Sequence, residues 1–278
     1  MTSAVLALAR GAAARLPQDA RLFQIAFLAT LLSIGVLVRD FSLKPEQMAL
    51  AFAAGLAAQA FWVRRLGLAK VGYLSAVITC FGLSILLRAD NLWAHPLAAA
   101  AAISAKFVLR KNGKHLFNPA NLGAMLGLTL LPGAWVSPGQ WGNDLAYACW
   151  FVALGGLVTQ RARRWDVSWM FLACYLGLVA ANVLWLGKSW AILGHQMQSG
   201  ALLLFAFFMI SDPMTIPNRT AGRALHAASV ALIAFLWQFA LFKPNGLLWA
   251  LFVCVPLVPL IDRWLPAPRF EWRKGVGA

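Results

Sequence analysis

The sequence predicts an all-α integral membrane protein of ten transmembrane helices, some of them broken, with both termini in the cytoplasm. Three observations carry this prediction. Of 278 residues, 61% are hydrophobic and 12% are charged, whereas soluble domains carry about 25% charged residues. Ten apolar runs of roughly span length follow one another along the chain. The Lys and Arg residues also fall on alternate sides once those runs are counted as spans.

A span needs roughly 20 apolar residues. Leu22–Val38, Gln47–Val63, Val71–Leu87, Leu145–Val158, Val167–Leu186, Ala224–Phe242 and Leu247–Ile261 come near this length. Pro96–Leu109, Pro119–Leu131 and Gln198–Ile210 are short or interrupted, and complete the ten. With the N-terminus inside, 18 of the 24 Lys and Arg fall on inside segments and 5 on outside ones, while Lys106 stays within a span. This is the positive-inside pattern, and one miscounted span midway would scramble it. Trp93, Trp135, Trp141, Trp185, Trp190 and Trp249 lie near outer ends, and Trp62, Trp165 and Trp264 near inner ends, as aromatic belts do. Met1–Gln18 has no sustained apolar core followed by a cleavage site. It reads as an amphipathic helix on the membrane surface, with Arg10 and Arg15 among lipid headgroups. The chain divides into a cytoplasmic amphipathic segment (1–21), one transmembrane domain (22–265) and a basic cytoplasmic tail (266–278). Its expected place is the bacterial inner membrane.

The net charge of +15 does not indicate nucleic acid, because the basic residues form short clusters between apolar runs and no continuous stripe. Membrane lipids are the partner these clusters imply. Cys80, Cys149, Cys174 and Cys254 each lie inside an apolar run with no CxxC spacing, so they read as small buried residues. His95, His115, His195 and His226 show no metal-ligand spacing. No phosphate-cradling glycine loop, nucleophile elbow or catalytic carboxylate pair occurs, so neither a catalytic residue nor a metal site is expected.

Two segments interrupt the plain spans. One is Lys114-His115-Leu116-Phe117-Asn118-Pro119-Ala120-Asn121-Leu122-Gly123, and the other runs from Ser211-Asp212-Pro213-Met214-Thr215 to Arg223. Each follows a short apolar run and ends on the cytoplasmic side. Backbone inside a bilayer must satisfy its own hydrogen bonds, so such breaks need a buried or wet surrounding. Paired breaks in the two halves of a chain point to a binding site built from half-helix ends. Asn or Asp before Pro is equally a standard helix start, which would make Asn118 and Asp212 caps of the next helices. The two readings are compatible, because a capped helix start can still face an anion or a polar ring. Asp212 follows Phe207-Phe208-Met209-Ile210 at the edge of hydrocarbon, where a carboxylate is costly and points to function. Lys106 is in a similar position, with snorkelling toward the inner headgroups as its simpler reading.

Gly113-Lys114-His115-Leu116-Phe117-Asn118-Pro119-Ala120 and Phe207 through Thr215 resemble the RnfD/NqrB family. Its members are the flavin-carrying membrane subunits of Rnf and sodium-pumping NADH:quinone oxidoreductase complexes. In that family a G-x-x-x-FNPA stretch precedes one helix. A second stretch of the form F-F-[MI]-A-T-D-P-V-[ST], followed by Gly and a basic residue, precedes another, and Ala221-Gly222-Arg223 supplies that tail here. The resemblance runs from about Leu97 to Trp264. It implies an inverted-repeat fold similar to urea and ammonium channels, electron transfer through flavin and coupling to ion movement. It also implies other redox subunits of a membrane complex as partners, together with quinone. Carried over, Asn118, Asn121, Asp212 and Thr215 would face a flavin near the cytoplasmic side, and Phe117 and Lys106 join them as cofactor-binding candidates. An isoalloxazine edge asks for a few donors and acceptors on apolar walls. The family attaches FMN covalently through the threonine of a Ser-x-Ala-Thr motif, but Pro132–Asp144 contains no threonine, and Ser199-Gly200-Ala201 continues with Leu202. The expectation is therefore a non-covalent flavin, riboflavin or FMN, and no covalent FMN. Two other readings stand beside it. One is a permease or channel for a small solute on the same scaffold, and the other is a cofactor-free subunit that anchors a larger complex.

Overall fold

The computed structural model describes residues 19–38, 43–68, 71–137, 142 and 144–271. The surface helix expected over Met1–Gln18 and the end of the basic tail lie outside the described residues. Within them, apolar sequence becomes helix, the form in which a chain without water satisfies its backbone groups by itself. The first half holds α1 (Ala20–Leu37), α2 (Pro45–Arg65), α3 (Leu74–Leu86), α4 (Ala94–Val108) and α5 (Pro119–Leu130). The second half holds α6 (Leu145–Arg161), α7 (Trp165–Trp185), α8 (Ala191–Met197), α9 (Gly200–Leu204), α10 (Thr220–Phe235), α11 (Gly246–Val253) and α12 (Leu257–Trp264). Helix α9 runs on into a π-turn at Phe205–Met209, and α10 into another at Leu236–Ala240.

Each of the ten apolar runs falls on one of these helices or on a bent pair. Among the described residues, three helices are long and apolar enough to cross a membrane: α1, α7 and α10 with its π-turn. The number rises to five if α8–α9, bent by 43°, and α11–α12, bent by 50°, each count as one span. The fold is that of a largely α-helical membrane protein.

Two short ladders interrupt the helices. Strand β1 (Leu87–Ala89) pairs antiparallel with β4 (Ala134–Val136), and β2 (Arg110–Lys111) pairs with β3 (Lys114–His115). The second pair is a two-residue hairpin whose turn residues, Asn112 (φ 52°) and Gly113 (φ 76°), both sit in the left-handed region. That is the Asn-Gly chemistry such turns require.

The order of packing recurs in the two halves. Helix α4 lies against both α2 and α5, as α10 lies against both α7 and α11; α1 packs on α3 as α6 packs on α9. Lipid supplies no hydrophobic drive between helices, so close approach at small residues holds them. A Cβ on Gly123 would lie 3.1 Å from the Ala98 carbonyl oxygen, and one on Gly155 would lie 2.7 Å from Phe207 Cβ. Gly155→Leu should therefore push α6 off the π-turn at a cost of about 1–3 kcal/mol. Thermal unfolding in detergent checks this, and an unchanged Tm would contradict the contact.

Three expectations change in the structure. Arg88, counted above as an outer-loop charge, is fully buried in β1, where Nη1 donates to the carbonyls of Ser84 (3.0 Å) and Leu87 (2.7 Å). Cys149 is exposed on α6 and Cys174 half-buried on α7, while Cys80 and Cys254 are buried. An apolar run fixes that a residue sits in a helix, and packing alone decides which face it takes. The third change concerns Lys106.

Candidate functional site

The first break is a helix start. Asn118 caps α5, its Oδ1 accepting from the Asn121 N–H at 3.0 Å, with Pro119 in the first turn. Its Nδ2 also donates to the Met209 carbonyl at 3.3 Å, so the cap is tied to the end of the π-turn in the other half. The second break is different. Asp212 caps no helix: its Oδ1 accepts from the Met214 N–H at 3.0 Å, its carbonyl accepts from the Thr215 hydroxyl at 3.2 Å, and α10 begins only at Thr220. Pro213 and Pro217 lack N–H donors and disfavour helix at the residues before them, which leaves an Asx-type turn as the local solution.

The hairpin brings the two breaks together. His115 Nε2 faces Asp212 Oδ2 at 3.4 Å. Its neighbour Lys114 donates from Nζ to the Ile216 carbonyl (2.5 Å) and to Asp262 Oδ2 (2.9 Å), while Asp262 Oδ1 accepts from the Asn218 N–H (2.8 Å). Arg223 then reaches Asp166 Oδ2 through Nε (2.8 Å) and Nη2 (2.5 Å), and donates to the Asn218 carbonyl. Segment 211–219 is thus gripped by the hairpin, by α12 and by the start of α7. Burial pushes the Lys114 ammonium below the ordinary lysine range, partly offset by the hydrogen bond and charge of Asp262.

Above this grip lies a cavity of about 380 Å³, whose wall includes Lys106, His115, Asn118, Ser211 and Asp212. Leu28, Ile78, Leu204, Phe207 and Phe208 supply apolar surface. The π-turn adds a residue to the helix just before the second break and delivers Phe207 and Phe208 to the wall, a placement typical of functional sites. Lys106 does not snorkel. It is 9% exposed, and its Nζ donates to Ser75 Oγ (2.8 Å) and Gln59 Oε1 (3.2 Å). Polar side chains on α2 and α3 hold it, which the sequence around Lys106 could not reveal.

The other three candidates turn elsewhere. Asn121 donates from Nδ2 to the Leu248 carbonyl at 3.3 Å, with its Oδ1 buried and unpaired. Thr215 stays within its own turn, and Phe117 lies tilted on Phe252 at 5.1 Å between ring centroids. None of the three lines the cavity. Ser75, Thr79, Thr159 and His115 do line it, and sequence reasoning passed them over. Two signals could have found three of them: Ser75 and Thr79 stand four apart in an apolar run, and Asn112-Gly113 marks the hairpin that aims His115.

A second cavity, of about 250 Å³, lies between α7, α9 and α11, beside Tyr175, whose hydroxyl donates to Gln238 Oε1 at 2.8 Å. Leu86, Leu204 and Met209 line both cavities and so form the partition between them.

Fold and cavity together define a polytopic α-helical membrane protein with a ligand-sized chamber where two backbone breaks meet. The sequence model described as the NQR2, RnfD, RnfE family matches residues 128–271. The chain belongs to this family. It is 33% identical over 129 residues to the RnfD protein of the ion-translocating oxidoreductase complex of Halorhodospira halophila, covering 46% of this chain and 36% of that one. Against the proteins of the same name from Escherichia coli and Shigella flexneri it is 30% identical over 138 residues, covering 49% of this chain and 38% of theirs. The match thus spans little more than a third of those relatives' own length. The family model covers the second break but not the first, so 97–127 of the stretch read as a resemblance falls outside it.

Proposed function

We propose that the chain is a membrane-embedded electron-transfer subunit of a larger redox complex, holding a non-covalent flavin in the cavity between the breaks. The observation that carries this is the convergence of Lys106, His115, Asn118 and Asp212 on one apolar chamber from opposite halves of the chain. The residues suit the group. Asp212 can accept from an imide N–H, Asn118 and Lys106 can donate to ring carbonyls, and Phe207 and Phe208 offer flat apolar surface. A bound flavin would supply one- and two-electron transfer; the protein supplies position, polarity and exclusion of water. Asn121, Thr215 and Phe117 then support the site from behind, through the cap, the turn and α11. The relatives are named as subunits of an ion-translocating oxidoreductase complex, which supports other redox subunits as partners. Quinone is the electron acceptor the same reading suggests.

Ten spans in two five-helix halves of opposite orientation, with both termini in the cytoplasm of an inner membrane, accord with the recurring packing order and the basic clusters. The apolar partition of Leu86, Leu204 and Met209 between two cavities gives ion movement a place in the same scaffold. It equally favours a second reading, a permease for a small solute, which solute uptake into liposomes would report.

The experiment that tests the proposal is an absorption and fluorescence spectrum of detergent-purified protein, before and after acid precipitation. A flavin band released into the supernatant is expected. Protein that is colourless after mild purification in lipid-supplemented detergent would overturn the flavin and favour the permease.

A further inference from the structure

Lys106 is 9% exposed, lies on the cavity wall, and is held by two neutral acceptors from two other helices. Gln59 is itself fully buried, and its Nε2 donates to the Gly72 carbonyl at 3.1 Å, which turns its oxygen toward Lys106. The ammonium is therefore aimed by α2 and α3, and both of its hydrogen-bond acceptors there are uncharged. Among the described residues lining the cavity, Asp212 is the single acidic side chain; it is engaged by His115 and the Met214 N–H, and its charge also acts on Lys106 across the cavity. Arg21, Arg110 and His115 share the wall. A cation so placed costs free energy that a neutral side chain making the same tie between helices would avoid. It has a use if the ligand carries or gains negative charge.

Resting on the flavin reading above, we infer that Lys106 is the charge-compensating residue of this site. Its ammonium favours the electron-rich, reduced form of the bound flavin over the oxidised form, and so raises its reduction potential. The electron comes from a one-electron centre of a partner protein in the complex. A charge buried on the cavity wall is screened less than one in bulk water, so its field reaches a ligand in the cavity.

The test is an anaerobic titration of the full chain in detergent, with dithionite as reductant and redox mediators, followed by absorbance of the bound flavin. Lys106→Gln should favour the reduced form at least tenfold less, a fall of about 59 mV for a one-electron couple. Lys106→Arg should restore most of the potential. Gln59→Glu, which supplies a carboxylate beside the ammonium and keeps the bond to Lys106 while giving up the one to the Gly72 carbonyl, should lower the potential in the same direction. If Lys106→Gln and Gln59→Glu both leave the potential at the wild-type value, Lys106 is a structural tie and the inference is overturned. A wild-type protein that binds no flavin overturns the underlying functional reading instead, so the two failures are distinguishable.

Discussion

Asp212→Ala is expected to lower bound flavin at least tenfold, measured as flavin per protein after acid release. The carboxylate has two oxygens with different duties. Oδ1 holds the turn through Met214 N–H, and Oδ2 meets His115 from the other half of the chain. Alanine removes both, so the turn loosens and the chamber loses the single acidic side chain among its described wall residues. A lost charged hydrogen bond is worth about 1.5–3 kcal/mol, which is a factor of ten or more in affinity. Asp212→Asn keeps an oxygen for the Met214 N–H and removes the charge. It should bind flavin at an intermediate level with an unchanged Tm. Full flavin content in Asp212→Ala would remove Asp212 from the site.

The second large effect concerns Lys114 and Asp262. Their side chains are 7% and 12% exposed, and the pair joins the hairpin, the second break and α12. Removing one partner leaves the other charge buried and unanswered, at a cost of about 3–5 kcal/mol. Asp262→Ala should therefore lower the detergent Tm by roughly 10 °C. Lys114→Met/Asp262→Leu should fall less than either single substitution, because no unpaired charge remains. Recovery stays partial, since in the double variant the Ile216 carbonyl and the Asn218 N–H both lose their partners. A double variant as unstable as the sum of the singles would show that the two residues act independently.

Legibility followed the range of the interactions. Asn118-Pro119 was readable as a helix start because a cap and a proline act within one turn. The same logic applied to Asp212-Pro213 led astray. Pro217 and the grip of Lys114 and Asp262 keep 211–219 out of helix, and those partners lie far along the chain. Lys106 shows the other limit. Its distance from Arg110 suggested snorkelling, whereas Gln59 and Ser75, from α2 and α3, hold it inward. The buried Arg88 was misplaced for the same reason, because a basic residue between two apolar runs looks like a loop charge until the loop itself is seen to be covered.

By itself, the sequence determined that this protein is helical and membrane-embedded, where its apolar segments lie, and which two motifs interrupt them. Those properties follow from hydrophobicity, proline geometry and charge placement, all of which act over a few residues. Only the tertiary structure decided that the two interruptions meet, that His115 rather than Thr215 faces the chamber beside Asp212, and that Lys106 points into it. Contacts between residues 97 positions apart depend on how helices pack at their small residues. No local pattern encodes that packing.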